Sequence, residues 1–174
     1  MLKNDIVYLR ALEPTDLNFL FQIENNTDLW TVSGTQAPYS QFILKQYLKN
    51  ASQDIYQAQQ LRLAICAPNH VLVGLVDLFD FSHKDKRAGI GIVIAEEQFK
   101  QKGYAKNALI ILIEYCFTVL DLHQVYVNIE QDNLPSISLF TQLNFKLIGV
   151  KKQWNKRGNT YIDEGIYQLI NNVN

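Results

Sequence analysis

Lys100, Lys102 and Lys106, set around Gly103, are the residues whose types and spacing most directly suggest chemistry. They lie in Glu96-Glu97-Gln98-Phe99-Lys100-Gln101-Lys102-Gly103-Tyr104-Ala105-Lys106. A short apolar run, Ile90-Gly91-Ile92-Val93-Ile94, precedes this turn, and a long apolar stretch, Asn107 to Leu120, follows it. The first has the length of a buried strand and the second that of a helix. A helix that starts there leaves its first backbone N–H groups without partners, and its aligned dipoles add partial positive charge. Gly103 has no side chain to keep a ligand away from the backbone. The chemistry is anion binding, of the kind that suits a phosphate. A solvated basic turn in front of a helix has the same composition, so the turn alone leaves both readings open.

The elements that must position this turn fit a single domain spanning residues 1–174, long enough for a substantial core. The formal net charge is −1, so the lysines are a local feature, and neither a nucleic-acid nor a membrane partner is expected. Cys66 and Cys116 sit in apolar surroundings without CxxC spacing, as reduced core residues of a cytoplasmic protein do. The N-terminal residues lack the apolar stretch of a secretory leader. No metal is expected.

Ile6–Leu12 reads as a first strand, and Pro14-Thr15-Asp16 as a helix start with Thr15 as N-cap. Leu17, Leu20, Phe21 and Ile23 continue that helix to about Asn25. From Asn25 to Tyr39 there is no clear period, and the segment reads as a long loop carrying Trp30. Ser40 caps a second helix to about Asn50, and the Gln-rich patch 53–60 is a polar continuation or loop. Leu61–Ala67, Val71–Asp80 and Arg87–Ile94 are strands joined by two short polar turns, hence an antiparallel meander. After the long helix, His123–Ile129 is a strand parallel to the one ending at Ile94. Asn133 caps a fourth helix with Pro135 in its first turn, and strands Phe145–Trp154 and Thr160–Ile170 form a hairpin around 156–159. If the two parallel strands splay, they open a cleft beside the anion turn, where an extended ligand can pair with unpaired strand amides.

Two motifs in this order of elements resemble the GNAT superfamily of N-acetyltransferases. One is Lys100-Gln-Lys-Gly103-Tyr-Ala105, against Gln/Arg-x-x-Gly-x-Gly/Ala. The other is Asn133-Leu-Pro-Ser136-Ile-Ser-Leu-Phe140-Thr-Gln-Leu-Asn144-Phe145, against Asn-x-x-Ser-x-x-Leu-Tyr-x-x-x-Gly-Phe. Leu9–Asp16, Arg87–Ile92 and Tyr161–Tyr167 are similar to the branch that holds spermidine acetyltransferases and ribosomal-protein N-terminal acetyltransferases. The resemblance covers nearly the whole chain. It implies an α/β (α+β) fold: a mixed, mostly antiparallel sheet of about seven strands with four helices and a splay between strands 4 and 5.

The resemblance also implies acetyl-coenzyme A as donor, an amine as acceptor, and a homodimer. Gln101, Lys102, Gly103, Tyr104, Ala105 and Lys106 would hold the pyrophosphate, with Lys100 keeping the positive charge of the family's Gln/Arg position. Ile92, Val93 and Ile94 would pair with the pantetheine arm, and an amide near Val93 would polarise the thioester carbonyl. Asn133 and Ser136 would lie along the coenzyme A arm. Asn144 replaces glycine, and asparagine tolerates left-handed backbone. Phe140 stands where many relatives have the tyrosine that protonates the departing thiolate, and it has no proton to give. Tyr104, Tyr126 and Ser138 are the substitutes within the chain. Neither cysteine falls in the motifs, so direct transfer without a covalent intermediate is expected.

A base must take the amine proton. Asp77 and Asp80 share a strand, and residues three apart lie on opposite faces unless a bulge intervenes. Asp80, nearer the strand end, is the choice. Glu24, Asp28, Trp30 and Tyr39 are the acceptor-side candidates, because the first helices and their loop wall that side in the resembled branch. Carboxylates with aromatics suit a polyamine cation, and a protein or peptide N-terminus is equally compatible. Two readings therefore stand: an active N-acetyltransferase, or a non-catalytic acyl-coenzyme A-binding or effector-sensing protein on the same fold.

Overall fold

The structure is a computed structural model and describes residues 2–50 and 54–172. Seven strands form one sheet in the order β1-β2-β3-β4-β5-β7-β6. In chain order they are β1 (Tyr8–Ala11), β2 (Leu61–Cys66), β3 (Leu72–Ser82), β4 (Arg87–Ile94), β5 (Gln124–Glu130), β6 (Lys146–Arg157) and β7 (Thr160–Ile170). All neighbours are antiparallel except β4 and β5. That exception follows from the crossover through the long helix, since a two-residue hairpin cannot join parallel strands.

The described residues contain six helices: α1 (Leu17–Glu24), α2 (Thr27–Ser33), α3 (Gln41–Asn50), α4 (Ile55–Ala58), α5 (Tyr104–Thr118) and α6 (Leu134–Gln142). The expectation of four is corrected at two places. The segment 25–39, read as a loop, contains α2, capped by Asn26, whose side chain accepts from the Asp28 N–H, and ended by left-handed Gly34. Its seven residues are too short to show a period. In the Gln-rich patch, Asp54 caps the single turn of α4, and residues 51–53 lie outside the described residues. Thr15 is not an N-cap. A 310 turn starts at Pro14, and the buried Asp16 carboxylate accepts from Glu13 N–H at 2.8 Å. Ser40 does cap α3, with its hydroxyl accepting from Ile43 N–H at 3.2 Å.

Alternation along the strands divides the core in two. Leu63, Ile65, Val76, Leu78 and Ile90 face α5 and α6, and pack with Ala108, Leu109, Leu112 and Phe140. Ala64, Cys66 and Leu75 face α1 and α3, and pack with Leu20, Ile23, Leu44 and Leu48. Helices on both faces bury much of the middle strands, which is why β2, β3 and β4 read as nearly continuous apolar runs. Asn144 takes φ of +67°, as its left-handed position after α6 requires. Among the described residues, no helix is long and apolar enough to cross a membrane.

Candidate active site

The site is a gap in the sheet. β4 and β5 share three parallel pairs, Arg87 with Gln124, Ala88 with Val125 and Gly89 with Tyr126. Beyond them β4 stays with β3 to Ile94, while β5 continues to Glu130 paired with β7. Gly91–Ile94 therefore have no strand on one side.

Backbone alternation decides which amides face that gap. Lys86 O accepts from His123 and Gln124 N–H on the β5 side, whereas Ala95 N–H donates to Val73 O on the β3 side at 2.9 Å. The β3/β4 register is unbroken from Gly89 to Ile94. Even-numbered residues therefore turn their N–H and C=O toward β5, and odd-numbered ones toward β3. Ile92 and Ile94 present amides to the gap, whereas the Ile90 N–H is used by the last parallel bridge, Gly89–Tyr126. The Val93 amide, expected to face a bound thioester, belongs to the β3 ladder, and Val93 instead lines the cavity from the α1/α3 side of the sheet.

The basic turn follows the open end of the gap. Gln101 and Gly103 both have left-handed backbone, φ +58° and +81°. Gly103 is the N-cap of α5 and has no side chain to cap with, so the first-turn amides keep their donor capacity. Lys100 pairs with Glu97 at 2.7 Å, and Lys102 is exposed. Tyr104 sets its ring edge-on to Phe99, and Ala105 is half-buried. The Lys106 ammonium donates to Gln142 Oε1 at 3.3 Å, which places the first turn of α5 beside α6. From the other side, Asn133, Ser136 and Phe140 of α6 line the cavity. Asn133 caps α6 by accepting from Ser136 N–H at 3.2 Å. Phe140 is buried edge-on against Phe145.

The cavity measures about 630 Å3 and runs from the gap into a chamber roofed by α1, the 25–39 segment and α3. Of the acceptor-side candidates, Glu24 and Tyr39 line it, while Asp28 and Trp30 do not. Asp28 is exposed at the start of α2, and the Trp30 indole N–H donates to Glu24 O at 2.9 Å, a packing role. Of the proton-transfer candidates, Asp77 lines the cavity, but Asp80, Ser138, Tyr104 and Tyr126 do not. Asp80 is corrected as the carboxylate on the wall: a bulge between Phe79 and Ser82 turns it away, and it accepts from the Tyr126 hydroxyl at 3.0 Å. Ser138 accepts from the Gln142 side-chain amide.

The sequence reading missed Arg62, Tyr47, Glu130 and Glu164, which all line the cavity. Arg62 Nε donates to Asp77 Oδ1 at 2.5 Å and Nη1 to Glu24 Oε1 at 2.6 Å, with its guanidinium 5.7 Å from the Tyr47 ring centroid. The two carboxylates raise its pKa further, against the opposing effect of burial. Burial pushes the Tyr47 hydroxyl up as well. Glu130 and Glu164 stand directly opposite each other on β5 and β7, and are paired with Arg157 and Lys151. A charged residue within an apolar strand was the available signal for Arg62. Nothing local marked the two glutamates, which are 34 positions apart.

A family model described as "Acetyltransferase (GNAT) domain" matches residues 7–146. The chain belongs to the GNAT acetyltransferase family. It is 29% identical over 142 residues to the spermidine N(1)-acetyltransferase of Vibrio cholerae, covering 82% of this chain and 80% of the relative. The Escherichia coli K12 spermidine N(1)-acetyltransferase is also 29% identical, over 143 residues, covering 82% and 74%. The crystal structure of the Vibrio cholerae enzyme in complex with CoA and spermine superposes with a TM-score of 0.85 at 24% identity, covering 96% of both chains. The GNAT fold is thereby established for the seven-stranded sheet with its β4/β5 gap. The protein is an acyltransferase that moves an acetyl group from acetyl-coenzyme A to an amine. The non-catalytic reading is not favoured.

Proposed function

We propose that the acceptor is a polyamine, acetylated on a primary amine by direct attack on the thioester. The observation that carries this reading is the continuous cavity. It joins the gap between β4 and β5 to walls bearing Glu24, Asp77, Glu130 and Glu164, with Arg62 the one basic residue among its lining residues. These four carboxylates, already paired with Arg62, Arg157 and Lys151, outnumber the one lining cation. They leave an acidic wall that suits a flexible chain of ammonium groups, one of which must reach the thioester as a neutral amine.

In this reading the backbone amides of the turn and of the first turn of α5, from Gln101 to Lys106, hold the pyrophosphate, with Lys100 and Lys102 adding charge. The backbone of Ile92 and Ile94 pairs with the pantetheine arm. The amide of Ile92 donates to the thioester oxygen as it gains charge in the transition state. Asn133 and Ser136 border the arm from α6. Asp77, held by Arg62, takes the amine proton through water. Phe140 packs against the arm, and the thiolate leaves without a phenol beside it. The chain works as a single domain.

The test is thiol release from acetyl-coenzyme A across spermidine, spermine, amino acids and peptides with free N-termini. Polyamines should give the highest kcat/KM. A peptide or amino acid that exceeds them by tenfold or more refutes the polyamine reading and leaves the acyltransferase assignment standing.

A further inference from the structure

The vertex of the gap is held by little backbone: β4 and β5 part after the pair Gly89–Tyr126. Side chains add to it. Two consecutive β3 residues, Phe79 and Asp80, both reach Tyr126, which lies two strands away. The Phe79 ring is edge-on to the Tyr126 ring at 5.9 Å, and the Tyr126 hydroxyl donates to Asp80 Oδ2 at 3.0 Å. In a regular strand, neighbours point to opposite faces, and only one could make such a contact. The bulge after Phe79, with Asp80 at φ +47°, brings both to the same side. Between them lies Gly89 of β4. A Cβ there would sit 2.3 Å from Phe79 Cε2, so the absent side chain is what lets the ring cross β4.

We propose that Tyr126 and Asp80 are positioning residues that clasp β3 to β5 across β4 and set how the cofactor gap opens. β4 is captured beneath the clasp, so its amides at Ile92 and Ile94 keep a fixed distance from β5. The Tyr126 hydroxyl is pushed up to about 12 by burial and by its bond to Asp80, and it therefore remains a donor throughout the working pH range. This role needs an acceptor atom at position 80, not a base. It concerns the coenzyme A side and is independent of which amine is acetylated.

The experiment compares Tyr126→Phe, Asp80→Ala, Asp80→Asn and the double variant Tyr126→Phe/Asp80→Ala. Coenzyme A affinity is measured by titration calorimetry, kcat with the best amine of the panel, and folding by thermal melting. Loss of this exposed hydrogen bond, at the modest end of net hydrogen-bond strength, should raise the coenzyme A Kd about three- to tenfold in Tyr126→Phe and in Asp80→Ala. The double variant should be no worse than either single one. Asp80→Asn should stay close to the parent protein, because its amide oxygen still accepts. Tyr126→Phe keeps the ring contact, so it folds and reads the hydroxyl alone. Kd values within twofold of the parent in both single variants overturn the clasp, as do fully additive effects. An Asp80→Asn variant that loses more than about 100-fold in kcat with unchanged Kd also overturns it, and makes Asp80 the base.

Discussion

Gly103→Glu is the sharpest perturbation of the donor site, because the structure separates its effect on folding from its effect on binding. A Cβ at Gly103 would meet only Asn107 Nδ2, at 3.5 Å, an ordinary contact. There is room, and the folding cost is that of placing an L-residue at φ +81°, about 1–2 kcal/mol. For a chain of this size that lowers Tm by about 2–8 °C. Binding suffers differently. A carboxylate at the start of α5 takes up the positive end of the helix dipole that the pyrophosphate would use, and repels the pyrophosphate directly. At about 4 Å, each phosphate charge costs about 1 kcal/mol in fully aqueous surroundings, and more as the site is shielded from water. Two charges give about 2 kcal/mol, or about 30-fold in the coenzyme A Kd, as a lower figure. Gly103→Ala is the control: it pays the same backbone cost without the charge, so its Kd should rise far less. Calorimetric titration with coenzyme A beside thermal melting decides the matter. A folded Gly103→Glu protein whose Kd lies within twofold of the parent refutes the anion site at this turn.

Three further outcomes follow from the geometry. Asp77→Asn should lower kcat about 10²- to 10⁴-fold with coenzyme A affinity preserved, and a steady-state comparison showing kcat within threefold removes Asp77 as the base. Burial pushes the Cys116 thiol up to about 12, and Cys66 is fully buried, so the folded enzyme should keep its activity after treatment with iodoacetamide. Rapid inactivation under native conditions would instead place a reactive thiol in the reaction. Burial alone would raise the Asp16 pKa, but hydrogen bonds from Arg10 at 2.7 and 2.9 Å and from the Glu13 amide outweigh it and hold it below 3.8. A depressed carboxylate contributes stability above its unfolded pKa and loses it as pH falls through the folded value. Asp16→Asn should therefore lower Tm at pH 7, by about 4–8 °C for a loss of about 2 kcal/mol. The difference from the parent should shrink below about pH 4, and a difference constant from pH 7 to pH 3 contradicts this account.

Much of the fold was legible because local signals agreed with each other. All seven strands stand where alternation and turn residues put them, and the crossover through α5 makes β5 parallel to β4. The boundaries moved where capping competes with hydrophobic period. α5 starts at Tyr104, a turn before its apolar run, because Gly103 supplies the left-handed entry. The helix Thr27–Ser33 escaped notice because seven residues give barely two turns of pattern.

The elements of the proposed donor side were legible for a related reason. Its parts are contiguous: one turn around Gly103, one strand at 90–94 and one helix start at Asn133. Local backbone chemistry defines each of them, so residue order alone carries the information. The acceptor side is assembled across the sheet. Arg62 and Asp77 meet as cross-strand partners, Glu24 joins them from α1, and Glu130 faces Glu164 through the β5/β7 register. Register decides such meetings, and register is set by global packing, because a one-residue slip moves every side chain to the other face. The same reason removed the amide of Val93 from the gap in favour of Ile92, and let one bulge take Asp80 from the cavity wall to Tyr126. The sequence by itself determined the fold family and singled out the basic turn that we propose holds coenzyme A. Only the tertiary structure decided which carboxylates line the cavity and which amides face the gap, because pairing register and bulges act between segments far apart in the chain.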